Sequence, residues 1–155
     1  MTAPILVFGW GNPARGDDAL GPLFVERIEA LKLPDIDCLT DFQLQVEHAL
    51  DLAGRQLVLF VDASLATEPP FTLNPVAPAR NTHFSSHALS PEAVLQVYAE
   101  LHDQEPPATF QLAIRGKTFE LGSGLSAAAR SNLDAACDWA WNWLNTGSCQ
   151  PFATK

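Results

Sequence analysis

The chain is poor in cysteine, in basic residues and in long apolar runs. Only three of its 155 residues are cysteine (Cys38, Cys137 and Cys149), and no two form a Cys-x-x-Cys pair. A thiolate metal centre or dithiol redox site needs that spacing, so neither is expected. An odd number of dispersed thiols reads as reduced cysteine in a cytoplasmic protein. Nine Lys+Arg against 18 Asp+Glu give a net charge of −9. That sign repels phosphate backbones and anionic lipid, so no nucleic-acid and no membrane partner is expected. No apolar run approaches the roughly 18 residues of a membrane span. Met1–Gly11 has no basic leader and does not read as a signal peptide.

Several catalytic signatures are missing too. Gly9-Trp10-Gly11 opens like a dinucleotide fingerprint, but Ala14 stands where its third glycine belongs. Gly116-Lys117-Thr118 ends like a phosphate loop, but Gln111 replaces the leading glycine. There is no Gly-x-Ser-x-Gly elbow and no His-Glu-x-x-His zinc helix. Cys137 falls on the apolar side of a predicted helix, where thiols are inert.

What is present is a folded α/β chain. Apolar residues make up 47% and charged residues 17%, the reverse of a disordered composition. The length matches one domain of about 150 residues, expected over 1–146, with 147–155 as a tail. Pro4–Phe8, Ile36–Thr40, Leu57–Val61 and Thr109–Ile114 read as strands, and Phe71–Leu73 as a short edge strand among prolines. Helices are expected from Asp17 or Asp18 to Leu31, after Asp41, from Ser90 to His102, and over Ala127–Asn145. Phe24, Val25, Ile28 and Leu31 should face the core from the first, and Val46, Ala49, Leu50 and Ala53 from the second. Ser90-Pro91-Glu92 is a strong helix start, and Ser126 a cap for the last helix. That helix carries Trp139, Trp141 and Trp143, which cannot all face inward. Alternating strands and helices predict a single α/β domain with a mostly parallel sheet.

Sites in such sheets lie beyond the carboxyl ends of the strands. The first strand is followed by Asp17 and Asp18, and the third ends in Asp62. His87 stands three residues before the Ser90 cap. Asp18 (or Asp17), Asp62 and His87 could therefore form a carboxylate–carboxylate–imidazole site for a borderline ion such as Ni²⁺ or Zn²⁺. The competing reading makes Asp17 or Asp18 a helix cap and Asp62 an acceptor of loop amides. His48 and His102 read as surface residues, and His83 as loop.

The run from Ile5 to Gly21, with Gly9-Trp10-Gly11-Asn12 followed by Gly16-Asp17-Asp18-Ala19-Leu20-Gly21, resembles the N-terminal signature of the nickel–iron hydrogenase maturation endopeptidases. Phe60-Val61-Asp62-Ala63, Ser86-His87-Ala88-Leu89-Ser90-Pro91 and Phe119-Glu120-Leu121-Gly122-x-Gly124-Leu125-Ser126 resemble three further segments of that family, in order. The resemblance implies a three-layer α/β/α fold with a twisted sheet of about five strands. It implies a peptidase that removes the C-terminal extension of a hydrogenase large-subunit precursor once nickel is inserted. Asp18, Asp62 and His87 match the family's nickel ligands, and Asp17 and His83 do not. The nickel would be supplied by the precursor, the protein's partner. Where many members read Asp-Gly-Gly-Thr, this chain reads Asp41-Phe42-Gln43-Leu44-Gln45-Val46-Glu47, resembling the branch that serves soluble, bidirectional-type hydrogenases. A non-catalytic, nickel-dependent precursor chaperone is the alternative. The sequence does not set the oligomeric state, and a monomer stays open.

Overall fold

The structure, a computed structural model, describes residues 2–80 and 89–145. Five strands form one sheet: β1 (Ile5–Trp10), β2 (Ile36–Asp41), β3 (Leu57–Ser64), β4 (Phe71–Pro75) and β5 (Ala108–Arg115). Their spatial order is β2-β1-β3-β5-β4. All pairings are parallel except that of the edge strand β4 with β5. Three α-helices cover the sheet: α1 (Leu20–Ala30), α2 (Pro91–His102) and α3 (Ala127–Asn145). Two 3₁₀ segments, Gly16–Ala19 and Val46–Leu52, complete the regular structure.

Side chains alternate across the central strands and feed two cores. Val7, Leu59, Val61, Leu112 and Ile114 pack under α1 and α3. Leu6, Phe8, Val58 and Phe60 pack under α2 and the Val46–Leu52 turn. Helical layers on both faces make the expected three-layer α/β/α fold. β3 has helices on both sides, which is why Leu57–Val61 is an unbroken apolar run rather than an alternating one. Each of its fully buried side chains contributes roughly 1.5–3 kcal/mol. Ser90 starts α2 as expected: its Oγ accepts from the Ala93 amide at 3.1 Å, with Pro91 in the first turn.

Two expectations are corrected, those for Leu31 and for the segment after β2. Leu31 lies just beyond α1 and is 42% exposed. The segment after β2 is a 3₁₀ turn, not an α-helix, and it exposes Val46 and Leu50 while burying His48, Ala49 and Leu52. A three-residue period brings Leu52 onto the face of Ala49 and turns Leu50 away, whereas the expected face assumed 3.6; Val46, the first residue of the segment, stays outside the core. Of the α3 tryptophans, Trp141 is the exposed one. Trp139 and Trp143 stack at 4.9 Å and pack on Phe71 and Phe110. The tail, 147–155, lies outside the described residues.

Glycine sets how closely α1 sits on the sheet. A Cβ on Gly21 would lie 2.5 Å from the Trp10 carbonyl oxygen and 2.9 Å from that of Val61. Both are backbone atoms of central strands, so neither can step aside. Gly21→Ala is expected to destabilise the protein by about 3 kcal/mol or more, through overpacking that only backbone movement relieves. A fall in the urea midpoint at constant slope would show it; an unchanged midpoint would mean that α1 does not dock this closely.

Candidate functional site

The chain leaves β1 toward β2 on one side, and leaves β3 toward β5 on the other. β1 and β3 are neighbours, so the direction of winding reverses between them. A crevice opens outside the carboxyl ends of strands at such a point, where α/β sheets bind ligands. Asp18 and Asp62 are both delivered there, one by the loop after β1 and one by β3 itself.

Asp18 lies in the Gly16–Ala19 turn. Its Oδ2 accepts one hydrogen bond, from the Asn12 amide at 2.8 Å. Gly11 has φ 149°, and a Cβ there would lie 2.0 Å from the Asp18 carbonyl oxygen, so the loop closes tightly on itself. Asp62 carries a perturbed carboxyl. Burial raises its pKa from the ordinary 3.8 to about 7, with the negative charge of Asp18 adding to the rise and the Ala63 amide opposing it. The two acids therefore feel one another. Neither forms an ion pair with Lys, Arg or His among the described residues. Uncompensated acids in a crevice form the donor set that a divalent cation satisfies.

Asp17 takes a different part. Neither it nor Asp18 caps α1: the N-cap position is Ala19, and no side chain caps the helix there. Asp17 is fully buried. Its Oδ2 accepts from the Lys117 amide at 2.7 Å, the Thr118 amide at 3.3 Å and the Ser126 hydroxyl at 2.7 Å. Its Oδ1 accepts from the Ser126 amide at 2.7 Å, and its own amide donates to the Thr118 carbonyl at 2.9 Å. Burial pushes its pKa up, but these donors together outweigh burial and leave it lowered. Its oxygens are thus engaged within the protein, while Asp18 keeps acceptor capacity for a ligand. Sequence spacing left the choice between them open; their hydrogen bonds separate their roles.

His87 and His83 lie outside the described residues. Among the described residues, no three His, Cys, Asp or Glu side chains gather as a metal-binding group. The other histidines correct the sequence reading. His48 is 7% exposed, with Nε2 3.0 Å from Asp41 Oδ2 and Nδ1 accepting from the Gln45 amide at 2.8 Å. An Nδ1 that accepts cannot hold a proton, so Nε2–H donates to Asp41. His102 is half-buried and stacks on Tyr98 at 4.3 Å. Burial pushes the Cys38 and Cys137 thiols up to about 11, which keeps them protonated at neutral pH.

No family model matches the sequence, and no curated protein matches it. Solved structures do match. The NiFe hydrogenase maturation protease HycI from Thermococcus kodakarensis KOD1 superposes with a TM-score of 0.70 at 23% identity, over 92% of this chain and 93% of that one. The hydrogenase maturating endopeptidase HybD from E. coli gives 0.73 at 20% identity, over 95% and 94%. The hydrogenase 2 maturation peptidase from Thaumarchaeota archaeon SCGC_AB-539-E09 gives 0.64 at 22%, over 90% and 97%. These define the class of fold as the mostly parallel α/β sheet described above. The chain has the fold of the hydrogenase maturation proteases along nearly its whole length.

Proposed function

We propose that the protein is an endopeptidase that removes the C-terminal extension of a nickel–iron hydrogenase large-subunit precursor after nickel insertion. The observation that carries this reading is the coupled pair Asp18 and Asp62. It lies at the switch point of a fold shared with proteins solved as hydrogenase maturation proteases. Asp18, Asp62 and His87 together would complete the coordination of a nickel ion already held by the precursor. A precursor without nickel would offer nothing for the three side chains to grip, so recognition and inspection would be the same event. No helix among the described residues is long and apolar enough to cross a membrane, and we place the reaction in the cytoplasm.

Gripping the ion fixes the neighbouring scissile peptide in the crevice, which supplies orientation. Water then adds to the scissile carbonyl carbon. The C–N bond breaks, and the departing amine takes a proton. The substrate's metal can act as a Lewis acid toward the carbonyl or the water. A carboxylate can instead take the water's proton and pass it to the amine. Asp62 is poised for that second role, because burial brings its pKa near neutrality. Under the carboxylate route, kcat/KM of the wild-type protein should rise with pH through an ionisation near 7. A flat profile between about pH 4 and 8 would remove that route.

The reading is tested by the precursor's mass. Incubation with the protein should shorten the precursor by its C-terminal peptide. Nickel-dependent binding with the precursor's mass unchanged would make the protein a chaperone instead.

A further inference from the structure

The Asp17 clasp adjoins the acid pair, yet the chemistry above does not use it. We propose that Asp17 is a positioning residue, which sets where Asp18 presents its carboxylate by locking the β1–α1 loop onto the β5–α3 loop. Its kinetic consequence rests on the endopeptidase reading; its geometric consequence does not.

The clasp is tight at every level. Asp17 is held through its backbone by Thr118 and through its carboxylate by Lys117, Thr118 and Ser126. A second tie joins the same two loops, from the Gly122 amide to the Ala14 carbonyl at 2.8 Å. Gly116 lets the β5 end approach, since a Cβ there would lie 2.9 Å from the Asp17 Cβ. The Ser126 hydroxyl donates to Asp17 while accepting from the Ala129 amide at 3.1 Å, so the start of α3 belongs to the same frame.

Asp18 has only local support: its amide donates to the Arg15 carbonyl at 3.0 Å, within its own loop. Among the described residues its side chain makes one hydrogen bond, to the Asn12 amide. Its Cα lies one planar peptide, about 3.8 Å, from that of Asp17. Any displacement of Asp17 therefore passes directly to Asp18, and the Asn12 bond reports it. A staple serving stability alone would have no such reporter.

The test is Asp17→Asn beside Leu133→Ala, which truncates a buried α3 side chain of the apolar core that makes none of the clasp's hydrogen bonds. The amide group keeps the size of the carboxylate but turns one acceptor oxygen into a donor facing other donors. Hydrogen exchange at the Asn12 amide, measured against β3 amides, should speed up about tenfold in Asp17→Asn and stay unchanged in Leu133→Ala. With nickel-loaded precursor, kcat/KM should fall roughly 10–100-fold in Asp17→Asn, as when a residue holding a metal ligand is lost. It should remain at the wild-type value in Leu133→Ala under conditions where both are folded. Ser126→Ala removes only the hydroxyl donor and should show the same pattern more weakly, which keeps the test available if Asp17→Asn does not fold. Wild-type exchange at Asn12 in a folded Asp17→Asn, or equal effects in Leu133→Ala, would overturn the proposal. If the wild type shortens no precursor, the endopeptidase reading fails, and the exchange arm alone decides the role of Asp17.

Discussion

Asp62→Asn is expected to make the protein more stable at pH 8 and, at the same time, inactive in precursor processing. Burial and the charge of Asp18 raise the Asp62 pKa from 3.8 to about 7. Its ordinary value applies in the unfolded chain, so between about pH 4 and 7 the folded state binds the extra proton. Stability then falls as pH rises through that window, and levels off once Asp62 is ionised in both states. At about 1.36 kcal/mol per pH unit, holding the ionised carboxylate costs on the order of 3 kcal/mol, allowing for its residual contact with water. The amide carries no charge and keeps the size of the side chain. The variant should gain about 8 °C in thermal midpoint at pH 8. At pH 4 the gain should vanish, because wild-type Asp62 is protonated there too. Equal stability at both pH values would mean that Asp62 is not a strained acid.

Asp18→Ala and His87→Ala are expected to abolish processing with little loss of stability. The Asp18 carboxylate makes one hydrogen bond within the protein, so removing it should cost only about 1 kcal/mol. If it grips the precursor's nickel, activity should drop by more than the roughly 10–100-fold typical of outer partners of a metal. Circular dichroism and urea unfolding would show a native fold, and the precursor would keep its full mass. A folded Asp18→Ala that still cleaves would remove Asp18 from the site. Asp17→Asn should differ in kind, because Asp17 is built into the protein and Asp18 is not.

The strands were legible because burial between helical layers leaves a direct mark: Leu57–Val61 is apolar at every position, as a central parallel strand must be. Ser90 and Ser126 were legible as caps because capping is local. The turn after β2 was not. His48 folds back onto Gln45 and Asp41, and a polar side chain that satisfies its own neighbourhood looks like a surface residue in sequence. The Asp17 clasp was invisible for another reason: its partners, Lys117, Thr118 and Ser126, lie about a hundred residues away. Ser126 carried the only local signal, and capping alone accounted for it. Loop position put Asp18 and Asp62 at the same end of the sheet, and the charge of Asp18 is the smallest of the three influences on the Asp62 carboxyl. Only the hydrogen bonds distinguish Asp18, with acceptor capacity to spare, from Asp17, which the fold consumes.

The central claim is that acids at the sheet's switch point read a nickel ion carried by the substrate. Intact-mass spectrometry on nickel-loaded and nickel-free large-subunit precursor, each incubated with the protein, tests it most directly. The account predicts loss of the C-terminal peptide from the nickel-loaded sample alone. Equal cleavage of both, or loss of the peptide from the nickel-free sample alone, would contradict it.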